Sequence, residues 1–330
     1  MRQVPASLLL CLLVAACGGG GSSGSVPAPA ATTPPPGTIS EYTVPTSNAD
    51  VTNITVGPDG NLWFLESLSS GSKIGKITTG GAITEYSFPS SVQFPGSIIT
   101  GPDKNLWVTD EANHLISVTT AGSFNVYSAA GMVMELTIGP DNNLWGPEFS
   151  TNMLDAYSTA GALVHQYPLG YTNQNVYVAT GSDTNIWIAG YSPTLARVTT
   201  SGTVSTFSLT PPMSATGWMR QITSGPDGNL WICANTDNLI LKVSTAGALI
   251  ASYPIPTANA SPYGITTGPD GNLWFTENQG DKIGRITTSG TITEFPVPTA
   301  NAQPYWIVAG PDGKLWFTEA NGNKVASILP

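Results

Sequence analysis

Charge is scarce in this 330-residue chain. Only 10% of residues are Asp, Glu, Lys or Arg, and 11 cations face 21 anions for a formal net charge of −10. No basic patch is available to neutralise phosphates, which excludes nucleic acid as a partner. Cysteine is scarcer still, with Cys11, Cys17 and Cys233 only. The first two lie in the N-terminal leader, so the remaining chain lacks a disulfide framework and must be stabilised by packing. Cys233, alone inside "NLWICAN", reads as a small buried apolar residue. There are two histidines, His114 and His165. No catalytic triad, nucleophile elbow or phosphate loop is present, nor any motif for an organic cofactor. The apolar run from Leu8 to Ala16 is too short to span a bilayer, and no segment has a helical period.

The leader "MRQVPASLLLCLLVAACGGG" has Arg2, then that apolar run, then small residues, the pattern of a secretory signal. Val14-Ala15-Ala16-Cys17 resembles a bacterial lipobox, so residues 1–17 are expected to be a lipoprotein signal ending at a lipidated Cys17. Residues 18–37 are Gly/Ser-rich and then Pro/Ala/Thr-rich, which suits a disordered tether. Gly18 stands where an inner-membrane retention Asp would be. Together these features predict an exported protein held at the outer membrane by a lipid anchor alone.

What the chain has in abundance is repetition. "GPDGNLWF" at Gly57 recurs in variant form at Gly101, Gly139, Gly181, Gly225, Gly268 and Gly310, at spacings of 38 to 44 residues. Between copies lie alternating β-branched segments such as "KIGRITTSGTITEFPVP", which read as two strands joined by a tight turn. Four short strands every ~40 residues is the pattern of a propeller blade. The last unit stops one strand short, and "TISEYTVPT" (38–46) matches "TITEFPVPT" (291–299) almost residue for residue. The expected fold for residues 38–330 is therefore all-β: a monomeric seven-bladed propeller of four-stranded antiparallel blades, closed by the N-terminal strand.

The repeat separates structural from candidate functional columns. Seven equivalent tryptophans, Trp63 to Trp316, are expected to wedge between blades. The Asp of each "GPD" suits a hairpin turn, and the calcium-loop pattern fails because its fifth position holds Trp. The column ending the second strand is acidic at Glu66, Asp110, Glu148, Glu277 and Glu319, and interrupted by Gly190 and Ala234. It reads either as an acidic arc at the mouth, able to bind Mg2+, Ca2+ or a cationic ligand, or as carboxylates that each cap a loop. The column five residues before each Gly (Thr52, Gly96, Met134, Val176, Arg220, Tyr263, Tyr305) varies as pocket walls do. With Trp218 and Trp306 beside it, this column reads either as the wall for a small polar-aromatic or peptide-like ligand or as aromatics that plug the channel. His114, near Asp110 and Glu111, reads either as a solvated loop residue or as a candidate ligand or base, and His165 reads as structural.

"PYGITTGPDGNLWFTENQGDKIGRITTSGTITEFPVPT" resembles repeats of the virginiamycin B lyase (streptogramin lyase) family, and the resemblance runs over 38–330. It implies a seven-bladed propeller and, for the family's enzymes, magnesium-dependent elimination across the ester C–O bond of cyclic depsipeptides. The family glutamates fall on Glu277 and Glu319, whereas its histidines fall on Tyr263 and Tyr305. A tyrosine with an ordinary pKa near ~10 is a poor substitute for an imidazole base. Two functions follow: a binding propeller, or a lyase or lactonase-like hydrolase using Glu277, Glu319, Tyr263 and Tyr305.

Overall fold

The structure, a computed structural model, describes residues 34–68, 71–170 and 175–330. The proposed leader, Cys17 and most of the tether lie outside the described residues. Seven four-stranded antiparallel sheets follow one another, at 51–87, 95–128, 137–168, 175–208, 219–254, 262–296 and 304–328. They are numbered blades 1 to 7. The strand Ile39–Thr43 completes blade 7, pairing Ile39 with Ile328 and Thr43 with Lys324. Backbone bonds Gly37 N–H to Leu329 O (2.8 Å) and Leu329 N–H to Thr38 O (3.1 Å) extend that pairing. The expected closure by the N-terminal strand is thus the observed one. Among the described residues no helix is long and apolar enough to cross a membrane.

Each blade is built around its Trp and Asp. Every column Trp is fully buried and donates Nε1–H to the Asp four residues before it, at 2.8 to 3.1 Å. The Asp also accepts the backbone N–H two residues on, as at Asn272 (3.2 Å). The turn reading was therefore right but incomplete, because the Asp also satisfies the one polar atom of a buried ring. Each Trp stacks on an aromatic of its own outer strand, for example Trp231 on Tyr253 at 5.8 Å and Trp316 on Tyr42 at 5.6 Å. It also packs into the next blade: Trp63 clusters with Ile98, Leu106 and Val108, and Trp274 with Ile307 and Leu315. A small residue is required where the outer-strand ring meets the neighbouring turn. At Gly290 (φ 98°) a Cβ would overlap the Tyr253 ring. Cys233 is fully buried, and burial pushes its thiol well up, consistent with a packing role.

Two irregularities prepare the mouth. In blades 1, 5, 6 and 7 the innermost strand slips register against its partner, between Val51/Ile54, Met219/Ile222, Pro262/Ile265 and Pro304/Ile307. Such bulges re-aim side chains, and the residues beside them are Thr52, Arg220, Tyr263 and Tyr305. Blade 3 differs again, with an innermost strand of only Thr137–Ile138 and an isolated bridge between Val133 and Glu148.

Candidate functional site

The starts of the innermost strands bring two unlike walls together. On the side of blades 4 to 7, large side chains fill the mouth. Arg220 Nη1 donates to the hydroxyls of Tyr177 (3.0 Å) and Tyr191 (3.3 Å). Its guanidinium carbon lies 4.8 Å from the Tyr263 ring centroid, 5.2 Å from Tyr191 and 5.7 Å from Trp218, close enough for cation–π attraction. The Tyr177 hydroxyl donates to Tyr263 (2.9 Å), and Tyr263 and Tyr305 share a hydrogen bond of 2.5 Å. Trp306, nearly buried, stacks 6.5 Å from Tyr177. Burial pushes the phenols of Tyr177, Tyr263 and Tyr305 upward, which the nearby Arg220 charge offsets only in part. These hydroxyls are protonated donors, not bases.

On the side of blades 1 to 3 the same column holds Thr52, Gly96 and Met134, and there a cavity of about 360 Å³ opens. Its aromatic wall is Tyr177, Tyr191, Tyr263, Tyr305 and Trp306, and its opposite wall includes Phe94, Asp50, Asp110, Glu111 and Glu135. A Cβ on Gly96 would meet nothing nearer than the Met134 carbonyl at 3.7 Å, so the absence of a side chain there keeps space open. Glu135 is 6% exposed, accepts Val178 N–H at 3.0 Å, and is pushed well above the carboxylate range by burial. The aromatics thus fill part of the mouth and leave a ligand-sized pocket in the remainder.

The acidic column does not line this pocket as an arc. Of its five carboxylates only Asp110 faces the cavity, and all five are buried, 0 to 2% exposed. Asp110 caps its own loop, accepting N–H bonds from Gln93, Ala112 and His114 (2.8 to 3.1 Å) as well as His114 Nδ1 at 2.9 Å. Glu148 is bonded by Thr151 and by Gln166 (3.1 Å). Its neighbour Asp155 is pushed up to about 7 by burial and by Glu148. Among the described residues no group lies within good hydrogen-bond geometry of either oxygen of Glu66, Glu277 or Glu319, although the Thr46, Thr257 and Thr299 hydroxyls are near enough to offset part of the burial. Burial, then repulsion from Glu85, Glu294 and Glu41 respectively, raises each to about 7. Beside them a Lys–Glu pair recurs: Lys73–Glu85 and Lys282–Glu294 at 2.8 Å, and Lys324–Glu41 at 2.6 Å.

The magnesium implied by the family resemblance can be tested against this donor set. Among the described residues no three His, Cys, Asp or Glu side chains converge as a metal centre requires. Glu277 and Glu319 occupy equivalent positions in separate blades, each between its own strands. The arrangement does not fit a shared divalent ion. Outside the cavity lining, His114 is tied to Asp110, and Trp218 lies 42% exposed with its ring 5.0 Å from Tyr191. His165 stacks on both Trp145 (6.1 Å) and Tyr167 (5.5 Å), which also stack on each other, a structural position.

Three of the contributing residues escape a reading by column. Tyr177 stands one residue after Val176, at a register shift in the innermost strand of blade 4, and both Val176 and Tyr177 line the cavity. Tyr191 lies just past Ile186–Gly190, where the second strand turns into the third. Glu135 falls in blade 3, whose shortened innermost strand carries no period. For Tyr177, the signal was a second aromatic beside an apolar column residue.

Seven blades around a mouth with one aromatic and one acidic wall define a propeller with a pocket suited to a small molecule. The chain belongs to the virginiamycin B lyase family, whose model matches residues 31–132 and 116–330. It is similar to a solved streptogramin B lyase at 26% identity and TM-score 0.78, over 88% of this chain and 96% of that one. It is similar also to a catalytically inactive histidine-to-alanine variant of virginiamycin B lyase from Staphylococcus aureus crystallised with quinupristin. That likeness has 27% identity and TM-score 0.81, over 89% of this chain and 99% of that one. A WD40 propeller domain of Doa1, at 15% identity and TM-score 0.69 over 88% and 97% of the two chains, shares the fold. No curated protein matches the sequence.

Proposed function

We propose that this chain is a binding propeller that captures a small, peptide-like ligand in the pocket between blades 1 to 3 and the aromatic wall. The observation that carries this reading is the hydroxyl chain Tyr177–Tyr263–Tyr305 anchored on Arg220. It lies where the resemblance places the base that an elimination would need. Burial raises these phenols by more than the Arg220 charge lowers them, so they hold their protons and cannot remove one from a Cα near pH 7. The similar enzyme that loses activity on loss of a histidine, while crystallising with quinupristin, supports a separation of binding from chemistry in this fold. The test is incubation with quinupristin followed by chromatography and mass measurement. The expected outcome is unchanged compound. A ring-opened isomer of equal mass, or a product heavier by one water, would sink the binding reading.

A second reading, a lyase or lactonase-like hydrolase, draws support from the His114–Asp110 pair at the rim of blade 2. Its expected signature is turnover abolished by His114→Ala with the fold retained.

The same proposal places the protein at the cell envelope through a lipidated Cys17. Cys17→Ser is expected to move it from the membrane pellet to the soluble fraction, and persistence in the pellet would contradict the anchor.

A further inference from the structure

The aromatic wall has a proton inventory that restricts what it can hold. Tyr177, Tyr263 and Tyr305 contribute three hydroxyl protons, and Arg220 can only donate. The Tyr177 proton goes to Tyr263. One further proton lies between Tyr263 and Tyr305. Whichever of the two donates, one hydroxyl proton is left over, and both residues line the cavity. The order Arg220→Tyr177→Tyr263→Tyr305 is the cooperative one, in which each bond polarises the next and leaves the spare proton on Tyr305. Tyr191 repeats the pattern in shorter form. It accepts from Arg220 (3.3 Å) and lines the same cavity, so its own proton also points away from the cation.

Arg220 adds an unbalanced charge. Lys73, Lys282 and Lys324 each lie 2.6 to 2.8 Å from a glutamate. Among the described residues no carboxylate lies within ion-pair distance of Arg220, and its Nε is buried without a hydrogen-bond partner. Removing a cation from water costs free energy that tyrosine rings and hydroxyls compensate only in part. An anion held at the hydroxyl ends would complete the site.

We propose that the wall formed by Tyr191, Tyr263 and Tyr305, backed by Arg220, is a carboxylate-recognition site for the ligand's acidic end. The inference rests on the mouth-binding reading and adds the chemical class and the orientation of the ligand. The carboxylate accepts from Tyr305 and Tyr191, with Arg220 as countercharge one hydroxyl away through Tyr191 and at the head of the three-hydroxyl chain that ends on Tyr305. Across the cavity Asp50 and Glu111 present the charge that an amine would meet. The class that fits is a zwitterionic linear peptide or amino-acid derivative with a free C-terminus. Arg220 acts through the tyrosines and is a positioning residue.

The test is calorimetric titration of the propeller with the dipeptide alanyl-phenylalanine and with its C-terminal amide, which differ only at the acidic end. The acid is expected to bind at least about 10-fold tighter, the scale of a charged hydrogen bond. In Tyr305→Phe and in Arg220→Gln that preference is expected to fall to near unity, with near-ultraviolet circular dichroism reporting an intact fold. If Arg220→Gln does not fold, Tyr305→Phe alone decides. Equal affinity for acid and amide overturns the carboxylate site while leaving mouth binding in place. Binding of neither overturns it too, and failure of Gly96→Trp to weaken quinupristin binding removes the underlying reading separately.

Discussion

The position that opens each innermost strand decides what the mouth can do. In three blades it is Thr52, Gly96 or Met134 and space remains; in three others it is Arg220, Tyr263 or Tyr305 and the space is filled. Phenols raised by burial and bonded to one another are poised to donate hydrogen bonds, so this wall is built for recognition. The stamp residues act differently. Asp103 holds the Nε1–H of buried Trp107 at 3.1 Å, and its removal orphans a buried donor. Asp103→Ala is expected to lower unfolding free energy by about 1–3 kcal/mol, read by urea denaturation, whereas Asp103→Asn, which keeps an acceptor, is expected to cost less. These residue roles were legible where a column repeats seven times. They were illegible where a bulge offsets the register, as at Tyr177, because a one-residue slip redirects a side chain without altering composition.

At the scale of the strand and its neighbours, the second-strand glutamates emerge as elements of blade structure. Glu66, Glu277 and Glu319 sit beside a Lys on the third strand and a Glu on the outer one. In the sequence their acidity suggested a mouth-lining arc. Burial could not be read from a column of carboxylates, since the same residues suit a solvated loop. Their linkage to pH has a definite sign. Each is raised from 4.5 to about 7, so the folded state keeps protons that the unfolded state releases. Their contribution is complete below about 4.5 and is lost as pH rises through about 7.

The partner glutamates run the other way. Burial alone would raise Glu41, Glu85 and Glu294, but hydrogen bonds from lysine and threonine outweigh it and hold them low. Their stabilisation is present above the ordinary glutamate pKa and is lost in acid. The melting temperature is therefore expected to peak near the ordinary glutamate pKa of 4.5 and to decline as pH rises to about 7. Glu277→Gln, a neutral isostere, is expected to flatten the decline and raise stability at pH 8; an unchanged slope in calorimetric scans would contradict this. The closing strand Ile39–Thr43 carries Glu41, which accepts from Lys324 (2.6 Å) and from Thr299 N–H (3.0 Å). A chain starting at residue 47 is expected to lose the cooperative thermal transition, because blade 7 is left with an open edge and Glu319 loses its cover.

For the molecule as a whole, blade number, strand count and closure were legible, because each is stated seven times or by a matched terminal segment. The pocket was legible only in outline. Its position depends on which blades lack a bulky ring or guanidinium at the mouth, and its polarity on hydroxyl bonds between blades 4, 6 and 7, far apart in sequence. The central claim is that this propeller binds at the mouth and leaves its ligand intact. It is tested most directly by titrating wild type and Gly96→Trp with quinupristin in the calorimeter and recovering the compound afterwards. Gly96 has room for a side chain, so the variant is expected to melt like wild type. Wild type is expected to bind and return the compound unchanged, and the variant to show no binding heat. Ring-opened product, or an isotherm that Gly96→Trp leaves unaltered, would contradict the account.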